Sequence, residues 1–416
     1  MRISVNFDLD EVRLARIADG LAVATAVSLP WSTTATGILV VLWLVALVPT
    51  LDVAAVRREF VTAAAVLPVL LVALGALGML WADVTWGARL NGFGSFVKLL
   101  LLPLLLIEFR RSGCGLWVLV GFLVSCVALL ALSLAATVWP ALSFGHPLDP
   151  SVPVKDYIAQ SGEFAICAFA LAYVAVDLFR AGRSFPALAT AVLAALFLFD
   201  IFYIATGRTA LVVIAVLLVI FSLRYFRWKD AWRILAAAFV LAVIVAASSP
   251  YLRDRVMNLA YEIQIYAAEN TRTSAGERLS FWKKSIGFIV QAPVIGHGTG
   301  SIEKMFQEAA VGDSGVSAEV SANPHNQIFA VAIQLGLVGV AALLAMWLSH
   351  LLLFRQSGLV AWIGLVIVVQ NVVGSLFNSH LFDFTQGWLY VFGAGVAGGM
   401  VLREADRARR EHGLRS

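Results

Sequence analysis

Residues 321–349 read SANPHNQIFAVAIQLGLVGVAALLAMWLS, a polar turn followed by a long apolar run without one Asp, Glu, Lys or Arg. About 20 mostly apolar residues are enough for a helix to cross a hydrocarbon layer, and this run is long enough. Blocks of the same kind recur along almost the whole chain, whose 416 residues are 61% apolar and 13% charged, the composition of a polytopic membrane protein. About twelve crossings are expected: residues 17–31, 34–51, 60–81, 92–108, 115–138, 158–179, 186–205, 208–223, 234–249, 325–349, 359–378 and 386–402. Their apolarity is continuous rather than alternating, which excludes an outer-membrane barrel, and lipid offers no partner to a free backbone amide, so each block is expected as a helix. The fold read from the sequence is an all-α polytopic membrane protein. It divides into helices one to nine (residues 1–249), one large loop (250–324), and helices ten to twelve with a basic tail (325–416).

Orientation follows from the lysines and arginines of the connections. With the N-terminus inside, the cytoplasmic side receives Arg2, Arg13, Arg16, Arg57, Arg58, Arg110, Arg111, Arg180, Arg183, the RYFRWKDAWR turn, Arg355 and the tail from Arg403, nineteen of the 30 basic residues. The short outer connections hold Arg89, Lys98, Lys155 and Arg208. The net charge of +4 thus reflects topology and not a nucleic-acid surface. Cys114, Cys126 and Cys167 have no disulfide or metal-ligand spacing and read as packing residues.

The large loop, placed outside by this topology, is longer than a mere connection needs. A first helix is expected in YLRDRVMNLAYEIQIYAAEN, then a turn at TRTSAGE and a second helix in ERLSFWKKSIGFIVQAP. There Leu279, Trp282, Ile286, Ile289 and Val290 recur at helical spacing, with Lys283 and Lys284 off the stripe. Such a helix suits a membrane interface or packs on other loop residues. After Pro293 come Gly296, Gly298 and Gly300; alternating glycines allow a tight turn, and their amides form either an anion nest or a purely structural one.

Four outer-side residues carry candidate chemistry. Asn323 and Pro324 read as an N-cap and first helical residue, which sets His325 at a helix N-terminus. The dipole there disfavours imidazolium, so His325 is either a neutral group suited to general-base work or an interfacial histidine. Arg208 opens the eighth block in TGRTALVV and Arg278 opens the second loop helix; each is a planar fork suited to diphosphate or a side chain snorkelling to lipid phosphate. Lys155, in PVKDYIAQSGEF, is a third cation. No metal constellation is read on the outer side, and the one Asp-x-Asp, Asp8 with Asp10, falls in the inner N-terminal segment. Lys98, in GFGSFVKLLLL, reaches either the outer interface or an interior cavity.

An arginine opening the eighth block, ERLSFWKKSIGFIVQAPVIGHGTGSI in the loop and NPHNQIFAVAIQLGLVG leading into the tenth together resemble the O-antigen ligase and polymerase superfamily. Gln334 and Ile302 depart from the Glu and Phe frequent in that family. The resemblance implies a GT-C-like membrane glycosyltransferase in the bacterial inner membrane, its active site facing the periplasm. Its substrates would be an undecaprenyl-diphosphate-linked O-antigen and lipid A-core oligosaccharide, with membrane lipids around it and no cofactor. It also implies that Arg208 and Arg278, with Lys155, hold the diphosphate and that His325 serves the acceptor hydroxyl. Asn326, Gly298, Gly300 and Gln160 would be further substrate contacts. A polymerase, a protein O-glycosyltransferase and, in a different class, a lipid-linked glycan flippase are the rival readings; the last would carry broken helices near mid-membrane, whereas these blocks read as unbroken.

Overall fold

A computed structural model describes residues 4–142, 152–248 and 250–413; Arg2, Arg415 and the side chains of Asp8 and Asp10 lie outside them. The described residues hold helices and turns and no strand. The chain runs α1 Ser4–Ser28, α2 Thr33–Leu47, α3 Val53–Glu59, α4 Ala63–Gly78, α5 Trp86–Val97, α6 Leu101–Arg111, α7 Gly115–Val138, α8 Tyr157–Arg180, α9 Ser184–Tyr203, α10 Arg208–Tyr225, α11 Trp228–Ser248, α12 Pro250–Glu269, α13 Ser274–Gln291, α14 Ile302–Ala310, α15 Gln327–Leu353, α16 Leu359–Gly374 and α17 Phe384–Gly413. Seven described helices are long and apolar enough to cross a membrane, α5 and α6 counting as one across the turn at Lys98–Leu100, and the bent pair α3 and α4 (87°) would add an eighth. The other expected blocks are helices as well, in α1, α11, α16 and α17.

Where apolar side chains go separates core from lipid face. The α16 helix is buried almost throughout, including Trp362, Val366 and Val368, and α6 buries Leu102, Leu105, Leu106 and Phe109, packing chiefly on α17. By contrast α2 exposes Ile38, Val41, Leu42 and Val45, α9 exposes Leu188, Val192 and Phe199, and α11 exposes Phe239, Val240, Leu241, Val243 and Ile244. Apolar patches this continuous are what a hydrocarbon solvent requires.

Hydrogen bonds sort the connections into two ends. At one, Arg110 pairs with Glu59 (2.5 Å) and Asp406 (2.8 Å), Arg111 donates to the Thr50 carbonyl and Arg403 to that of Ser112. At the other, Lys155 donates to the carbonyl of Leu29, Lys98 Nζ to those of Phe382 (3.1 Å) and Asp383 (2.6 Å), and the Thr299 amide to Gly78. Lys98 therefore reaches the connection between α16 and α17 rather than an interior cavity.

One expectation changes. The α15 helix is broken at Gly336 (φ +60°), so the tenth block is not continuous. The loop fills the break: amides of His297 and Gly298 donate to the carbonyls of Ile333 and Gln334, and those of Leu337 and Val338 donate back to Pro293 and Val294. Non-helical backbone at that depth is tolerated because protein supplies the missing partners. In α13 the helical stripe at Leu279, Ile286 and Val290 is exposed; the buried face is Phe281, Ser285 and Phe288, packed with Phe306, Ile302, Ala330 and Ile333.

Candidate active site

The N-terminal ends of α8, α10 and α13 enclose a cavity with about 30 Å3 of room for water, lined among others by Tyr157, Ser161, Thr206, Arg208, Ser274, Arg278, Gln370 and His380. Arg208 is the first residue of α10, after Gly207. Its guanidinium meets Glu262 of α12 fork to fork, Nη1 to Oε2 at 3.1 Å and Nη2 to Oε1 at 2.5 Å. Glu262 Oε2 also accepts from the Ala275 amide at 3.0 Å, and its backbone carbonyl accepts from Thr273 Oγ1 at 3.2 Å, so one carboxylate fixes α10, α12 and the start of α13 together. Thr273 caps α13, accepting from the Gly276 amide. One turn on, Arg278 Nη1 donates to Ser274 Oγ at 3.2 Å. Burial, and then the positive charge of Arg208, pull the Arg278 pKa below its ordinary value, against Tyr157, Glu262 and Glu277, which raise it. Both arginines keep a buried Nε–H with no partner among the described residues. Two guanidiniums this close, each with a donor unspent, form a site that favours a multiply charged anion.

His325 is not among the residues lining that cavity and lies within electrostatic reach of Arg278. Burial lowers its pKa most, the Arg278 charge lowers it further, and a hydrogen bond to Asn378 raises it. Its position corrects the sequence expectation: the N-cap of α15 is Asn326, whose Oδ1 accepts from the amides of Ile328 and Phe329. Asn323 instead closes a turn onto the His325 amide at 2.9 Å, because an Asn side chain reaches the backbone two residues on. His325 consequently has φ +53°, a left-handed conformation that costs about 1 kcal/mol or more in a residue with a Cβ. The ring lies parallel to Phe281 at 5.9 Å between centroids.

The hydrogen bonds determine which ring nitrogen bears the proton. The His325 backbone N–H is a donor, so the Asn323 atom it meets is Oδ1, which also accepts from Ser379 Oγ at 2.7 Å. Asn323 Nδ2 then donates to Asn378 at 2.9 Å, so the atom there is Oδ1, and His325 Nδ1, 3.1 Å from that same oxygen, must donate to it. Nε2 is left with a bare lone pair, the arrangement of a base oriented by a neighbouring acceptor.

The remaining expected contacts go elsewhere. Lys155 is not in the cavity wall; besides the Leu29 carbonyl it donates to Thr385 Oγ1 at 3.1 Å, and burial lowers its pKa. Gln160 faces Ser133 (3.0 Å) and Asp200 (2.9 Å) inside the bundle. Asn326 spends its side chain on the cap and on the Leu376 carbonyl at 3.1 Å. Gly298 and Gly300 (both φ +90°) form no open anion nest: their amides go to the Gln334 carbonyl at 2.9 Å and Gln334 Oε1 at 2.8 Å. The reading as a structural turn is the one the structure supports.

Glu262, Tyr157, Asn378 and His380 are functional candidates that the sequence did not single out. Glu262 lies 54 positions from Arg208 in an ordinary amphipathic helix and carries no local sign. Asn378, Ser379 and His380 interrupt two apolar blocks as SLFNSHLFD, a polar insert at the same end as His325 that could have been noticed. No curated protein matches the chain at a significant level. Residues 193–344, which contain Arg208, Arg278 and His325, match the family model described as O-antigen ligase, a match over that segment that supports membership in the O-antigen ligase and polymerase superfamily.

Proposed function

We propose that this protein is an O-antigen ligase, moving a glycan from an undecaprenyl-diphosphate carrier to the outer core sugar of lipid A-core by a metal-independent, inverting displacement. The arginine-rich end faces the cytoplasm, about twelve helices cross the inner membrane, and the cavity opens to the periplasm. The observation carrying this reading is the pair Arg208 and Arg278 in one cavity, each with an unspent N–H, beside a histidine whose Nε2 is free to accept a proton. The acceptor hydroxyl oxygen attacks the anomeric carbon from the face opposite the carrier. Its proton passes to His325 Nε2, the bond from that carbon to the carrier oxygen breaks, and undecaprenyl diphosphate departs with the bonding pair. The guanidiniums stabilise the charge developing on the leaving oxygen, a contact worth most in the transition state.

A superfamily match supports ligase and polymerase equally. Reconstitution with carrier-linked glycan and lipid A-core together, in the presence of a chelator, separates them. A ladder of glycan on lipid A-core supports the ligase; lengthening of carrier-linked chains alone supports the polymerase; loss of all transfer on chelation refutes the metal-independent mechanism.

A further inference from the structure

His380 sits in the turn between α16 and α17, 2% exposed, and its ring lines the cavity of Arg208 and Arg278. Neither ring nitrogen has a hydrogen-bond partner among the described residues. The position is built for the ring: Gly374 leaves it room, since a Cβ there would stand 2.5 Å from the imidazole Cε1. Burial holds the group neutral, its pKa pushed down to about 4 against a small opposing effect of Asp156. A neutral imidazole has one donor and one acceptor, and a buried polar ring is expected to satisfy both. A bare diphosphate offers only acceptors and would leave one nitrogen unsatisfied. A diphosphate carrying a sugar offers acceptors on phosphate and donors on its hydroxyls, side by side.

We propose that His380 is a specificity-determining contact of the donor site, donating to a diphosphate oxygen and accepting from a hydroxyl of the first sugar attached to it. The inference rests on the diphosphate reading of this cavity and deepens it. His325 serves the acceptor and His380 recognises the donor, so the two histidines divide the substrates between them.

The test is binding of undecaprenyl diphosphate, bare and bearing one N-acetylglucosamine, to the full-length protein in nanodiscs, compared across wild type, His380→Leu and His380→Gln. Losing the hydrogen bond to a charged phosphate oxygen costs about tenfold or more in affinity, and losing the one from a neutral sugar hydroxyl a few-fold. His380→Leu is expected to weaken the bare carrier about tenfold and the glycosylated one about thirtyfold or more, erasing the preference for sugar. His380→Gln, which keeps one donor and one acceptor, is expected to retain that preference, and it carries the test if the leucine variant does not fold. Equal weakening of both carriers by His380→Leu, no weakening of either, or loss of the preference in folded His380→Gln would overturn the inference while leaving the site intact. Wild-type protein that binds neither carrier would remove the diphosphate reading itself.

Discussion

In the structure Glu262 already occupies the fork of Arg208 that the diphosphate needs. The two side chains are 23% and 16% exposed, so the pair is neither a screened surface contact worth about 0–1 kcal/mol nor a fully buried one whose rupture costs about 3–5 kcal/mol. Glu262→Gln keeps an oxygen for the Ala275 amide, 3.0 Å away, and an acceptor for one Arg208 N–H. It removes the competing charge with its repulsion of an anionic ligand, and it sets an amide NH2 against the Arg208 Nη2 donor in place of Oε1, which loosens the pair further. A net gain of about 1 kcal/mol follows, equivalent to about fivefold tighter donor binding. Titration of undecaprenyl diphosphate in nanodiscs reads the affinity, and steady-state transfer is expected to show the donor KM falling by a similar factor. Unchanged or weaker donor binding, with the thermal midpoint of unfolding preserved, would refute the reasoning: Glu262 would then hold Arg208 in place for the substrate rather than stand in its way.

Transfer requires neutral His325, whose pKa burial and Arg278 hold below the ordinary 6.5. Activity is therefore expected to be level above that pH and to fall on the acid side as the imidazole protonates, and Arg278→Gln, by removing a depressing charge, moves the acid limb upward; pH–rate profiles read the shift from their shape, whatever their height. Asn378→Asp puts a full negative charge on the Nδ1 side and moves the same limb upward, whereas Asn378→Leu releases the tautomer and lowers kcat by roughly tenfold or more, as loss of an orienting partner does elsewhere, with little change in donor KM. Gly92 of α5 meets Gly300 backbone to backbone, a Cβ on Gly92 falling 2.6 Å from both the N and Cα of Gly300; Gly92→Leu is expected to push the glycine turn from its seat at a cost of about 3 kcal/mol or more, seen as loss of the monodisperse peak after detergent extraction.

The sequence made the helices legible because each apolar block must satisfy its own backbone in lipid, and every expected block coincides with a helix. What it could not show was the break in α15. Gly336 sits in a run of unchanged apolarity, and only the docking of residues 293–298 against it reveals that the missing hydrogen bonds are made across the chain. Arg208, Arg278 and His325 stood out because charge and imidazole are expensive at a membrane edge. Glu262 did not, since a carboxylate on a loop helix is ordinary until its partner is known. Asn323 misled for a local reason: the Asn-Pro pair fits a helix cap, but with a second Asn at 326 the cap falls three residues later and the first closes a turn around His325.

The central claim is that the two guanidiniums act together on one departing diphosphate, and a double-mutant cycle of Arg208→Gln and Arg278→Gln on kcat for glycan transfer tests it most directly. Each single change is expected to lower kcat by about 10²-fold, the cost of removing one preorganised charge-stabilising contact, and the double change to cost clearly less than the product of the two, since neither arginine works fully without the other. Wild-type turnover in either folded single variant, or strictly multiplicative losses in the double, would contradict a shared site.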